Sequence, residues 1–202
     1  MKKRINGIWR DIYPPLVPFT ETAERTNFDF ATGQAIRLVS IHDNFTKQKR
    51  GRPSDDLEAL KRAALILTVT AWESFVEGTA QRELAKRLQN AASPSDVSGT
   101  FNSVAHQWLT SQDSRLPKPP DLVKWAGNGW KTQIDNSFSE FLKTFNTPDS
   151  KNVRTVFKRY VGLDVTQHWS WPRTSVDTAC SKLDRLIRER GAAVHRAKTI
   201  HP

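Results

Sequence analysis

The sequence predicts an all-α protein, an up-and-down helical bundle with a long second helix and a C-terminal motif helix. Three observations carry this. Apolar residues recur at helical spacing through most of the chain, and no segment alternates with the period of two that a half-buried strand requires. One broad stripe (Leu57, Leu60, Ala64, Leu67, Ala71, Phe75, Leu84, Leu88) marks a helix running from Asp55 to Leu88. At 1.5 Å per residue such a helix is about 50 Å long and needs partners along its whole length, which a bundle supplies.

Taken in order, residues 1–24 are expected to form an extended N-terminal arm, because Pro14, Pro15 and Pro18 prevent a regular helix. Trp9, Ile12 and Leu16 give that arm apolar groups with which to dock. Residues 25–202 make a single helical domain, within the usual size range for one core. A first helix is expected from Asp29 to about Thr46, on Phe30, Ala35, Ile36, Val39 and Ile41. Lys47 to Pro53 is a basic turn, after which Ser54 is a good N-cap, with Asp55, Asp56 and Glu58 in the first turn where the helix dipole favours anions. Asn90 to Thr100 is a loop of small residues. A helix around Val97–Thr110 follows, then a loop enforced by Pro117, Pro119 and Pro120. Shorter helices are expected near Trp130–Phe145 and Asn152–Tyr160, a loop over Gly162–Pro172, and a last helix from Thr174 or Ser175 that carries Val176, Cys180, Leu183, Ile187 and Val194.

Composition narrows the function. A formal charge of +10 and a pI near 10.0 favour a polyanionic partner, nucleic acid being the commonest. The basic excess is concentrated near the end: Lys182, Arg185, Arg188, Arg190, Arg196 and Lys198 stand against Asp184 and Glu189. Cys180 is the lone cysteine, which excludes an intramolecular disulfide and any cysteine-rich zinc site. His42, His106, His168 and His201 have no metal-ligand spacing and read as surface or loop residues. No run approaches a membrane span, and Met1-Lys2-Lys3-Arg4 leads into Ile5-Asn6-Gly7 rather than an apolar stretch. The expected location is the cytoplasm, with no membrane partner.

The last helix closes on Arg188-Glu189-Arg190-Gly191-Ala192-Ala193-Val194-His195-Arg196. Arginine keeps its charge and forks onto phosphate oxygens, and histidine is the side chain best suited to move protons near neutrality. Together they are what cleavage of RNA without a metal requires. Cations also favour helix C-termini for plain electrostatic reasons, so a solvated basic helix end remains the simple alternative. On the long helix, Glu73 and Glu77 lie four apart on one face, where a carboxylate on the inner edge of a bundle can orient a histidine or arginine from another helix. Lys49-Arg50-Gly51-Arg52-Pro53 is similar to an AT-hook core, in which Arg-Gly-Arg-Pro enters a minor groove.

Ala63 to Glu77, read as AALILTVTAWESFVE, resembles the long helix of HEPN domains, closest to the prokaryotic RiboL-PSP branch. Arg190 to His195 looks like that family's terminal Arg-Asn-x-x-x-His signature, with four residues between arginine and histidine. The resemblance covers about residues 29–90 and 173–197. It implies a bundle that dimerises so that two Arg/His pairs face each other across a cleft. It also implies a metal-independent endoribonuclease that leaves 2′,3′-cyclic phosphate ends and needs no cofactor, acting on RNA in a toxin–antitoxin, abortive-infection or other anti-phage system, with an operon-encoded protein as a further partner. Other members are non-catalytic scaffolds that bind nucleic acid or a partner protein, and a DNA-binding role through residues 49–53 is a third reading. Gly191 departs from the pattern, standing where the family usually has Asn or another polar residue. No tyrosine follows His195 in this sequence, so membership of the nucleotidyltransferase-paired antitoxin branch, with its tyrosine-bearing tail, is not expected.

The catalytic pair implied is Arg190 and His195, with Arg188, Arg196, Glu73 and Glu77 in support. The arginine register is open on geometry. On an unbroken helix Arg190 and His195 diverge by about 140°, whereas Arg188 and His195 align within about 20°. A break at Gly191 is expected to swing Arg190 into place.

Overall fold

The computed structural model describes residues 2–5, 8–11, 21–47, 55–111 and 119–197; for 2–5, 8–11, 55–56, 119–120 and 195–197 it describes the backbone alone. A short antiparallel ribbon comes first, β1 (Lys2–Ile5) paired with β2 (Ile8–Asp11). The remainder is helical: α1 (Ala23–Thr46), α2 (Asp55–Asn90), α3 (Ser98–Ser111), α4 (Pro119–Val123), α5 (Gly129–Leu142), α6 (Ser150–Val156) and α7 (Val176–Ala197). No helix among the described residues is long and apolar enough to cross a membrane.

The expected elements are present, with shifted edges. α1 starts six residues before Asp29 because Thr22 caps it, its hydroxyl accepting the Arg25 N–H at 3.3 Å. That start lies inside the stretch expected to be extended arm, and the ribbon occupies the rest of the arm's described part. Ser54, the expected cap of α2, lies outside the described residues, as do Lys49 to Pro53. A 3₁₀ turn, Pro94–Val97, fills much of the expected small-residue loop. Asp96 closes it by accepting the backbone N–H groups of Ala92 and Ser93. Pro119 and Pro120 open the short α4 instead of extending the loop, since proline is tolerated in a helix's first turn.

α2, 36 residues long, is the axis of the molecule. Ala64, Val69, Ala71, Val76, Ala80, Leu84 and Leu88 are all buried along it. α1 runs antiparallel beside it: Glu24 at one end of α1 pairs with Arg82 late in α2, and His42 at the other end meets Glu58 early in α2. The α2 end beyond Val76 carries the main core, where Val104, Trp130, Ile134, Phe138, Val153, Val156 and Tyr160 close around it. α6 leads into a π-helical turn, Phe157–Val161, that Gly162 ends in the left-handed region at φ 72°. The positive φ is what favours glycine there; a Cβ would come 2.9 Å from Arg87 Nη1, the end of a flexible side chain that can shift.

Two expectations about α1 are corrected. Its apolar residues Phe30, Ile36, Val39 and Ile41 are exposed, because α1 meets α2 through the narrower row Ala31, Ala35, Leu38 and His42, spaced four, three and four apart. His42 is accordingly not a surface residue. It is 3% exposed, with Nδ1 3.1 Å from the Asp43 carboxylate and Nε2 3.3 Å from that of Glu58. His106 and His168 are exposed, as expected.

Candidate functional site

α7 is amphipathic, and its register decides where each motif residue goes. Ala179, Ile187 and Ala193 are buried, with Leu183, Leu186 and Val194 partly so. Arg190 falls on this inward face, one turn beyond Ile187. Arg188 is exposed on the other flank. The helix passes through Gly191 without interruption, which corrects the expected break. Glycine costs a helix interior about 1 kcal/mol relative to alanine, too little to stop it between Arg190 and Ala192-Ala193. On this continuous helix the Cα of His195 lies about 20° around the axis from that of Arg188 and about 140° from that of Arg190. His195 and Arg196 sit within α7, and their side chains lie outside the described residues.

The α5–α6 connection fastens α7 to the bundle. Asp184 accepts the Ser150 N–H at 2.8 Å and the Ser150 hydroxyl at 3.0 Å, so it caps α6 from outside that helix. Asp149, the N-cap of α6 itself, accepts the Asn152 N–H at 2.7 Å. From α2, Trp72 Nε1 donates to the Pro148 carbonyl at 2.9 Å. Arg190 Nη1 donates to the Asn146 carbonyl at 3.1 Å. Residues 146–150 are thus gripped from α2 on one side and α7 on the other.

Opposite Arg190 stands Glu73, its carboxylate 3.7 Å from the guanidinium Nη2. That is close enough for charge attraction and too long for a hydrogen bond. Glu73 of α2 thus faces an arginine of α7. Burial pushes the Glu73 carboxyl above the usual carboxylate range, and the attraction of Arg190 offsets this only in part. Glu77, one turn further along α2, is pushed up by burial and then by the negative charge of Glu73.

Two surfaces result. The inner one is a carboxylate-backed arginine, its planar fork fixed by an ion pair and a carbonyl. The outer one is an exposed basic strip. Lys182, Arg185 and Arg188 are exposed on it, with Arg185 paired to Glu189 at 3.3 Å. Asp184, Trp72 and Asn146 were not singled out by sequence reasoning. Asp184 carried a signal, one of few acids in a basic helix, whereas the Asn146 contribution is a backbone carbonyl and has none.

A family model described as RiboL-PSP-HEPN matches residues 34–202. No curated protein and no solved structure matches the chain.

Proposed function

Because the chain belongs to the RiboL-PSP-HEPN family, a group in which RNA binding and dimerisation are common, we propose that it is a metal-independent endoribonuclease. It works as a homodimer in a prokaryotic toxin–antitoxin, abortive-infection or anti-phage system. The observation that carries the reading is the placing of Arg190, five residues ahead of the motif histidine, between Glu73 and the Asn146 carbonyl. A guanidinium held on one side presents its remaining edge in a fixed orientation, which is what stabilising charge on a phosphate demands.

In this mechanism His195 takes the proton from a ribose 2′-hydroxyl, or its counterpart across the dimer cleft gives one to the departing 5′-oxygen. The 2′-oxygen attacks the adjacent phosphorus, the P–O5′ bond breaks, and a 2′,3′-cyclic phosphate remains. Arg190 stabilises the charge that develops on the phosphorane. Glu73 is a positioning residue acting through Arg190.

A second register has an observation in its favour. Because α7 is continuous, Arg188 shares the flank of His195 while Arg190 lies on the face turned to α2. In that register Arg188 is the phosphate contact within one protomer, and Arg190 holds α7 to α2. The test is RNA cleavage by Arg188→Ala and Arg190→Ala proteins. Complete loss with Arg188→Ala and a folded, active Arg190→Ala protein assigns the contact to Arg188; the reverse assigns it to Arg190.

A further inference from the structure

A cavity of about 440 Å³ lies between α3, α5 and the π-helical turn after α6. That volume is at the scale of small-molecule sites. Its floor is aromatic. Trp108 and Trp125 lie with centroids 5.4 Å apart, and Phe141 and Tyr160 with centroids 5.6 Å apart. Arg159 lies over the Tyr160 ring, 5.1 Å from its centroid, and pairs with Gln107. The rim carries hydrogen-bonding amides, Gln107, Gln133 and Asn136 among them, together with the carboxylate of Glu140, which pairs with Lys143.

We propose that this cavity binds a nucleobase. A flat ring packs against the indoles, and its mixed donor–acceptor edge matches the amides of the rim. A fatty chain would leave the rim amides without polar partners. The base belongs either to single-stranded RNA or to a free nucleotide.

Position favours RNA, and in that form the inference rests on the nuclease reading above. The α5–α6 connection has Thr144 at the cavity and Asn146, two residues on, accepting from Arg190. The Cα atoms of these two residues are at most about 7 Å apart. One strand can therefore hold a base in the cavity while a neighbouring phosphate approaches α7.

The test is tryptophan fluorescence of the full chain titrated with adenosine and uridine 5′-monophosphates. A His195→Ala protein is titrated alongside with a short single-stranded RNA and with the same strand made abasic. Quenching by intact RNA that the abasic strand does not reproduce is expected, and Trp108→Ala should weaken binding about tenfold. Gln107→Ala with Asn136→Ala, both exposed positions, provides a milder loss should Trp108→Ala fold poorly. Binding by the monophosphates as tight as by RNA identifies a free nucleotide as the source. Equal binding of intact and abasic RNA, together with no response to either monophosphate, overturns the proposal. If RNA is still cut in that case, the cavity fails and the nuclease stands; base binding without cutting separates them the other way.

Discussion

At the scale of single residues, Glu77 gives a prediction with a definite sign. Its folded-state carboxyl titrates above the ordinary 4.5, so the folded protein holds a proton there more readily than the unfolded chain. Stability associated with that proton is fully present below the ordinary value and is lost as pH rises through the raised one. At neutral pH the ionised carboxylate is therefore a net cost. Glu77→Gln should raise the melting temperature at pH 7, and the gain should vanish toward pH 4.5; thermal melts at the two pH values check it. Gly191 makes a second residue-scale case. A Cβ there meets nothing within 4 Å, so Gly191→Ala should stabilise by about 0.5–1 kcal/mol. Gly191→Asn restores the polar group usual in the family and should raise RNA cleavage without loss of stability. Slower cleavage would show that Asn has no positioning role here.

At the scale of elements, the long helix and the motif helix were legible in the sequence because each shows a sustained 3.6-residue pattern. The joints between elements were not. Asp184 capping α6 from α7, and Arg190 reaching the Asn146 carbonyl, are pairings across 34 and 44 residues, and no local pattern encodes them. α1 misled for a related reason. Its large apolar residues suggested a core face, yet a close helix–helix contact favours the small row at Ala31 and Ala35, and the large ones flank it. At the site, the residue types Glu73 and Arg190 were readable in advance, but their meeting was not, because it depends on how α7 packs against α2. The Asp184 joint is testable. Removing a carboxylate that accepts two hydrogen bonds costs about 1.5–3 kcal/mol, so Asp184→Ala should lower the melting temperature by several degrees, about 2–4 °C per kcal/mol for a chain of this size. An unchanged melting temperature would show that α7 is held by its apolar face alone.

At the scale of the whole molecule, the proposed cleft requires two protomers. Phe30, Ile36, Val39, Ile41 and Phe45 are exposed on α1, an apolar load beyond what one isolated chain needs at its surface. Light scattering at tens of micromolar should give a dimer mass; a monomer would leave each motif without its counterpart. Residues 49–53 lie elsewhere in the chain, between α1 and α2 in sequence. Arg50→Ala with Arg52→Ala should spare RNA cleavage, and a loss of all nucleic-acid binding there, but not in His195→Ala, would favour the minor-groove reading instead. The most direct measurement is incubation of the purified protein with total RNA in EDTA, beside His195→Ala of equal melting temperature. Cleavage to 2′,3′-cyclic phosphate ends by the wild type, reduced by about 10²–10⁴-fold in the variant as expected for a lost acid–base group, is the expected result. Intact RNA with the wild type, or equal cleavage by both proteins, would contradict it.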